Sequence, residues 1–327
     1  MKFLDMLHDA VATGCGGFPE APIGALLPGW KPEDAPLWGN TPHRIEHALH
    51  RHDLFTDEAL EQLIETYPRE RYNLIQWNEE GGERTWLEGE FGGLSGRDVL
   101  QAVAAGRIGI QLKNVGAVDP RYAALADTLF EEVESRVPGL KTFKRIVGIL
   151  ISSPGSRTHY HADIHTGSCW HIRGRKRFYV YPATPPFVKK HDMEDVFLHG
   201  VEVDLPYEPW FDGHAQVFDL EPGQMLHWPH HAPHRVENLD SLNISLLVEY
   251  RTRETFRHVV AMRANAILRR KFGIEAASVE TSGLSFWGKF ALQALMRRTR
   301  TVKMELRSKR PTVFRLDPDR LGELVAV

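Results

Sequence analysis

The sequence predicts an α+β protein, with an antiparallel β-sandwich or barrel in the middle of the chain and helices before and after it. Three observations predict this. Between residues 145 and 250, short β-prone runs are split by Gly, Pro and Asn, with no helical period between them. Before 145 and after 251, apolar residues recur at helical spacing. The 327 residues, 42% hydrophobic and 25% charged, suit one large domain with appendages or two small ones.

In chain order, residues 13–40 are rich in Gly and Pro and read as an irregular arm. "FTDEALEQLIETYP" (55–68) reads as a helix. Thr56 caps it, Asp57 and Glu58 favour its positive end, Leu60, Leu63 and Ile64 form its apolar side, and Pro68 stops it. A second helix starts near Ser95 and includes Val99, Leu100 and Val103. A third runs from the Asp119–Pro120 cap to about Val137. Then come the strand-like runs "RIVGILISSPG", "SCWHI", "KRFYVYP", "AQVFDL", "GQMLHWP", "PHRVEN" and "LNISLLVEY". Helical patterns return in "RETFRHVVAMRANAILRRKFG" and "LSFWGKFALQALMRRTR". The expected organisation is an N-terminal arm and helical region (1–144) packed on the barrel, a β core (145–250), and a basic, mainly helical segment (251–327).

Composition excludes several classes. Two cysteines, Cys15 and Cys169, make no disulfide framework and fit a reducing compartment, so a cytoplasmic protein is expected. Asp5 and Asp9 interrupt the first apolar stretch, which argues against a signal peptide, and no run of 18 apolar residues is present to span a membrane. Net charge is −3, unevenly placed. Residues 251–310 carry 15 Lys or Arg against four acids, a net of +11, which leaves −14 elsewhere, and 191–221 holds nine acids without a Lys or Arg. Either opposite faces of the molecule, or of a dimer, attract each other, or the basic face serves an anionic partner such as nucleic acid. We favour the first.

The chemistry concentrates in "HYHADIHTGSCWHIRGRKRFYVYP" (159–182). On an extended strand residues i and i+2 share a face, so His161 and Asp163 can converge on one ion. A His-x-Asp pair alone is weak evidence; a third ligand is needed. "EPGQMLHWPHHAPHRVEN" (221–238) offers His227, His230, His231 and His234. His230 and His231 sit in a Pro-bounded loop, whereas His234 opens a run in which it shares a face with Val236, and we choose His234. Two His and one carboxylate, with three positions open, is the arrangement of non-haem Fe(II) oxygenases.

Lys176 raises a second question. "RGRK" (173–176) reads as a hairpin turn with glycine at its second position. On the returning strand Lys176, Phe178 and Val180 face one way, and Arg177, Tyr179 and Tyr181 the other. An ammonium beside Phe178 and Val180 either snorkels from an edge or awaits an anion.

Together, "THYHAD", "HIRGRKRFYVYP" and "LEPGQMLHWPHHAPHRVEN" resemble the jumonji C (cupin-like) family of Fe(II)/2-oxoglutarate oxygenases, most closely its hydroxylase branch. The resemblance covers roughly 145–250. It implies a double-stranded β-helix (jelly-roll) core, Fe(II) held by His161, Asp163 and His234, and the far carboxylate of 2-oxoglutarate held by Thr158 and Lys176. Three departures stand out. Gly167 occupies a position that is often polar, Cys169 replaces an aromatic, and Tyr250 stands near the expected tryptophan.

By the same resemblance, 2-oxoglutarate and O2 are converted to succinate and CO2 while a C–H bond of a protein side chain or small metabolite is oxidised. The retained carboxylate of Asp163 favours hydroxylation over halogenation; demethylation would use the same metal site. The alternative is a non-catalytic or differently metallated cupin that binds a partner through its basic segment. A cupin isomerase would need a richer histidine set, for which His227 and His231 are the candidates. His165 and His171 read as ordinary hydrogen-bonded residues. A homodimer is expected through the helices after 251, where Leu284, Trp287, Leu292 and Leu295 make a broad apolar surface.

Overall fold

The computed structural model describes residues 25–80, 83–199, 205–276, 278–298 and 311–327. The first part of the predicted arm, Cys15, and the basic residues 299–310 lie outside these.

Six α-helices accompany the strands among the described residues: α1 (Asp57–Glu65), α2 (Gly96–Ala105), α3 (Pro120–Arg136), α4 (Lys190–His199), α5 (Arg253–Phe272) and α6 (Gly283–Arg298). The first three begin where their caps predict. Thr56 Oγ1 accepts from Ala59 N at 3.3 Å, Ser95 Oγ from Asp98 N at 3.2 Å, and Asp119 Oδ1 from Arg121 N at 2.9 Å.

The strands are β1 (His43–Glu46), β2 (Tyr72–Glu80), β3 (Glu83–Glu90), β4 (Ile108–Leu112), β5 (Phe143–Ser152), β6 (Arg157–His161), β7 (Thr166–Arg173), β8 (Lys176–Val180), β9 (Gln216–Leu220), β10 (Gln224–His227), β11 (His234–Asn238), β12 (Asn243–Arg251), β13 (Thr312–Leu316) and β14 (Leu324–Ala326). They form a ten-stranded sheet, in the order β1-β10-β7-β12-β5-β4-β2-β3-β13-β14, and a four-stranded sheet, β6-β11-β8-β9. The two sheets form the jelly-roll core. Alternation along β5 divides the faces. Val147, Ile149 and Ile151 join Leu60, Leu63, Val99, Leu129 and Phe130 in the core beneath α1–α3, while Leu150 and Ser152 face the pocket between the sheets. A smaller cluster including Cys169, Phe178, Val180, Leu226, Trp228 and Val236 packs in that inner space.

Three expectations need correction. Residues 173–176 are not a hairpin: β7 belongs to the large sheet and β8 to the small one. Gly174, at φ +84°, turns the chain from one sheet to the other, and a Cβ there would stand 2.4 Å from the Leu242 carbonyl oxygen. The region before 144 is not simply helical, because β1–β4 extend the large sheet and the 144 boundary falls within its fifth strand. The last residues are not helical either, since β13 pairs in parallel with β3. Parallel pairing across so long a separation leaves no local sequence pattern.

The charge asymmetry is in part intramolecular. Arg269 meets Glu194 and Asp195 at 2.9 Å each, and Arg270 meets Asp195 at 2.7 Å, which clasps α5 to α4. No helix among the described residues is long and apolar enough to cross a membrane.

Candidate active site

β6 and β11 are antiparallel neighbours, and their register sets His161 opposite His234. His161 closes β6, and Asp163 lies just past the strand end, so the pair is not strictly the i, i+2 pair of a strand. The chain turn still brings the carboxylate back. Asp163 Oδ1 is 3.6 Å from His161 Nε2, and Asp163 Oδ2 is 3.6 Å from His234 Nε2. One ligand atom from each residue lies within 4.8 Å of the other two, and among the described residues no other group of three His, Cys, Asp or Glu does this.

The ring tautomers fit a metal. His161 Nδ1 is 2.7 Å from the His159 carbonyl oxygen, and His234 Nδ1 is 3.1 Å from that of Ala232. A carbonyl oxygen only accepts, so each Nδ1 carries the proton and each Nε2 offers its lone pair toward Asp163. Burial, and then the neighbouring His161, push His234 well below the usual histidine range, which keeps the ring neutral.

The triad lines a cavity of about 130 Å³ between the sheets, together with Thr158, Lys176, Ser152, Ser156, Trp228, Asn238 and Glu249. Thr158 is half-buried on β6, three residues before His161. Lys176 is 1% exposed. It is no edge residue, because β8 lies between β11 and β9. Burial lowers its pKa, and the only opposing influence is the Cys169 thiol, itself pushed up by burial. No carboxylate pairs with Lys176 among the described residues. A buried ammonium without an anion is costly, so the snorkelling reading fails and the site asks for an anion.

Gly167 leaves room at the metal-proximal wall. A Cβ there would meet Asp163 Oδ2 at 3.7 Å and Trp228 Cζ2 at 3.8 Å, which are ordinary contacts. His227 stands behind this wall, its Nδ1 2.9 Å from the Gly167 carbonyl and its ring stacked on Trp38 at 4.0 Å. Tyr250 accepts from Trp38 Nε1 at 2.8 Å, in the core rather than in the pocket.

The remaining histidines stay outside the triad. His165 lies between Glu249 Oε2 (3.0 Å) and Arg251 (2.7 Å). His171 bonds Ser245 Oγ and the Gly174 carbonyl. His230 Nε2 faces the Ile164 carbonyl at 3.1 Å, and His231, at φ +70°, packs against Phe197 and His258.

Residues 117–256 match the family model of the cupin-like domain. This segment is similar to a cupin-like domain. Its match begins at residue 117, just before α3 and earlier than the boundary expected at 145, and runs into α5.

A rat protein, HSPB1-associated protein 1, is 32% identical over 105 residues, which are 29% of this chain. The chain spans 22% of that relative's length. Among solved structures, Escherichia coli YcfD aligns at 16% identity with a TM-score of 0.47, over 80% of this chain and 66% of that one. The structure of YcfD, a ribosomal oxygenase from the same organism, with cobalt and 2-oxoglutarate aligns at 16% identity and a TM-score of 0.45, over 86% and 72%.

Sequence reasoning missed Ser152, Ser156, Trp228, Asn238 and Glu249 as pocket residues. Asn238 was within reach of it, because alternation from His234 through Val236 leads to the same face. Ser152 was not, since its facing partner comes from the other sheet.

Proposed function

We propose that the protein is an Fe(II)- and 2-oxoglutarate-dependent oxygenase, a hydroxylase, acting on a protein side chain or a small metabolite. The observation that carries this reading is one pocket with two poles: an Nε2/Nε2/carboxylate triad, and a buried lysine without a carboxylate partner among the described residues. A metal-chelating dicarboxylate satisfies both poles at once; a simple metal-binding cupin would have no need of the lysine.

The residues present fit the ion. His161 and His234 supply neutral imidazoles and Asp163 a carboxylate, a donor set suited to Fe(II) with open positions. When bound, the iron with its keto acid supplies oxidative decarboxylation by O2, giving succinate and CO2 and oxidising a C–H bond. The chain's own part is positioning. The carbonyls of His159 and Ala232 orient the two rings. Lys176 and Thr158 hold the far carboxylate, and the buried inner cluster keeps bulk water from the lysine pole. Asp163 retained as a ligand favours hydroxylation. Gly167 leaves room for a Cβ at the pocket wall, and we take this as the substrate side.

The test is anaerobic reconstitution with Fe(II), followed by O2 and 2-oxoglutarate, with succinate as readout. Succinate above a His161→Ala control supports the reading; equal amounts from both proteins reject it. We further propose a homodimer through α6 and a cytoplasmic location, consistent with Cys169 as a free buried thiol.

A further inference from the structure

Asn238, the last residue of β11, is the Cα partner of Lys176 in the small sheet. Its side chain reaches across to β5 of the large sheet. Asn238 Nδ2 lies 2.9 Å from the Ser153 carbonyl oxygen and 2.7 Å from Ser152 Oγ. The carbonyl can only accept, so the end of the amide that faces it must be the NH2 group. That same NH2 group therefore donates to Ser152 Oγ. Ser152 receives this hydrogen bond and keeps its own proton to give.

The proton has no acceptor among the described residues. Ser152 is 3% exposed, and among the described residues its hydroxyl donates to no other group. A buried donor left without an acceptor is unfavourable unless a ligand supplies one. Ser152 lines the same pocket as Lys176 and Thr158, and approaches it from the opposite sheet. Thr158 and Ser156 also line it, but no side-chain partner fixes the direction of their hydroxyls among the described residues.

We infer that Ser152 donates a hydrogen bond to the far carboxylate of the keto acid, and that Asn238 is the positioning residue that aims it. The inference rests on the 2-oxoglutarate reading above. The anion pole is then built from both sheets: Lys176 and Thr158 from the small one and Ser152 from the large one. Asn238 laces the two, so the donor is oriented before the ligand arrives.

The experiment titrates the Fe(II) protein anaerobically with two keto acids: 2-oxoglutarate, and 2-oxopentanoate, which has a methyl group in place of the far carboxylate. Ser152→Ala should weaken 2-oxoglutarate about tenfold, leave 2-oxopentanoate unchanged, and leave Fe(II) affinity unchanged. Asn238→Ala keeps the hydroxyl but loses its aim, and should give a smaller loss confined to the same ligand. Ser152→Cys, nearly isosteric and a poor donor, should repeat the alanine result and serves if the alanine variant does not fold. Equal 2-oxoglutarate affinity in wild type and Ser152 variants overturns the inference, as does an equal weakening of both keto acids, which would indicate a distorted pocket. Wild-type protein that binds neither keto acid overturns the 2-oxoglutarate reading, and this inference with it.

Discussion

His161 and His234 are cross-strand partners, with ring centroids 4.2 Å apart and both Nε2 atoms 3.6 Å from the Asp163 carboxylate. The register of β6 against β11 therefore does what no single strand could: it brings two imidazoles 73 positions apart in the sequence to one point. Neither ring can turn away without breaking its Nδ1–H bond to a backbone carbonyl. The site is organised by backbone groups before any ion binds.

Replacing His234 by Ala should lower Fe(II) affinity by more than about a hundredfold, since loss of a group that merely supports a ligand already costs ten- to a hundredfold. Replacing His230 should change it little, because that ring faces the Ile164 carbonyl and lies outside the triad. Metal content after dialysis, measured for both variants, is the check. Equal loss from the two would sink the ligand assignment.

How far the sequence disclosed this site follows from where each signal lies. His161, Asp163, His234 and Lys176 were legible because each sits in a short local run, although Asp163 lies past the strand whose alternation suggested it, and the helix caps at Thr56, Ser95 and Asp119 are equally local. The β1–β4 extension was not legible. Its strands are scattered among helices, and their pairing with β5 and β13 depends on contacts far apart in the chain. The supposed hairpin at 173–176 failed for a related reason. Gly174 marks a tight turn in either case, and only the two sheets decide whether the strands it joins are neighbours.

Lys176→Met should raise the 2-oxoglutarate dissociation constant about ten- to a hundredfold. A hydrogen bond to a charged group contributes roughly 1.5–3 kcal/mol, and about 1.4 kcal/mol is tenfold. Iron binding should hardly change. Lys176→Arg should also be impaired, because the planar fork does not fit a site closed around an ammonium. Met should in addition raise thermal stability of the ligand-free protein, since it removes an unpaired buried charge of similar length. An anaerobic titration and a melting curve test both points; unaltered keto-acid affinity would reject the anchor role.

Stability should fall in mild acid. Burial, as the first cause in each case, lowers His47 and His171 to about 3 and His227 to about 4, against 6.5 for an exposed histidine. The folded state thus refuses protons that the unfolded chain takes up below about pH 6.5. The stability each contributes is complete above that pH and is lost progressively as the pH falls toward 3–4. At about pH 5.5 the cost is roughly 1.4 kcal/mol for each of the three. Urea midpoints near pH 7.5 and 5.5 measure this, and coincident midpoints would show that these rings are not held neutral.

The α6 helix carries the last prediction. Its inner side is fixed: Phe286 and Met296 are buried, and Gln293 Nε2 donates to the Val260 carbonyl of α5 at 2.5 Å. Its outer side is apolar. Leu284 is 93% exposed, Trp287 54%, Phe290 42% and Leu295 59%, while Leu292, expected on this surface, is half-buried. Leu284, Trp287 and Phe290 stand exposed among the described residues, which favours a partner surface over packing on the barrel's own exterior. Four large apolar side chains on a single helix form the contiguous patch that soluble monomers rarely display. A second copy of the chain would present the same helix, and a two-fold axis would set the two apolar faces together. Leu284 and Leu295 lie three turns apart on α6, so two antiparallel copies would pair each with the other's counterpart. Sedimentation equilibrium at micromolar concentration should therefore give twice the 37.2 kDa chain mass. A Leu284→Glu, Leu295→Glu variant should sediment as a monomer and keep its metal site. A wild-type monomer would reject the dimer.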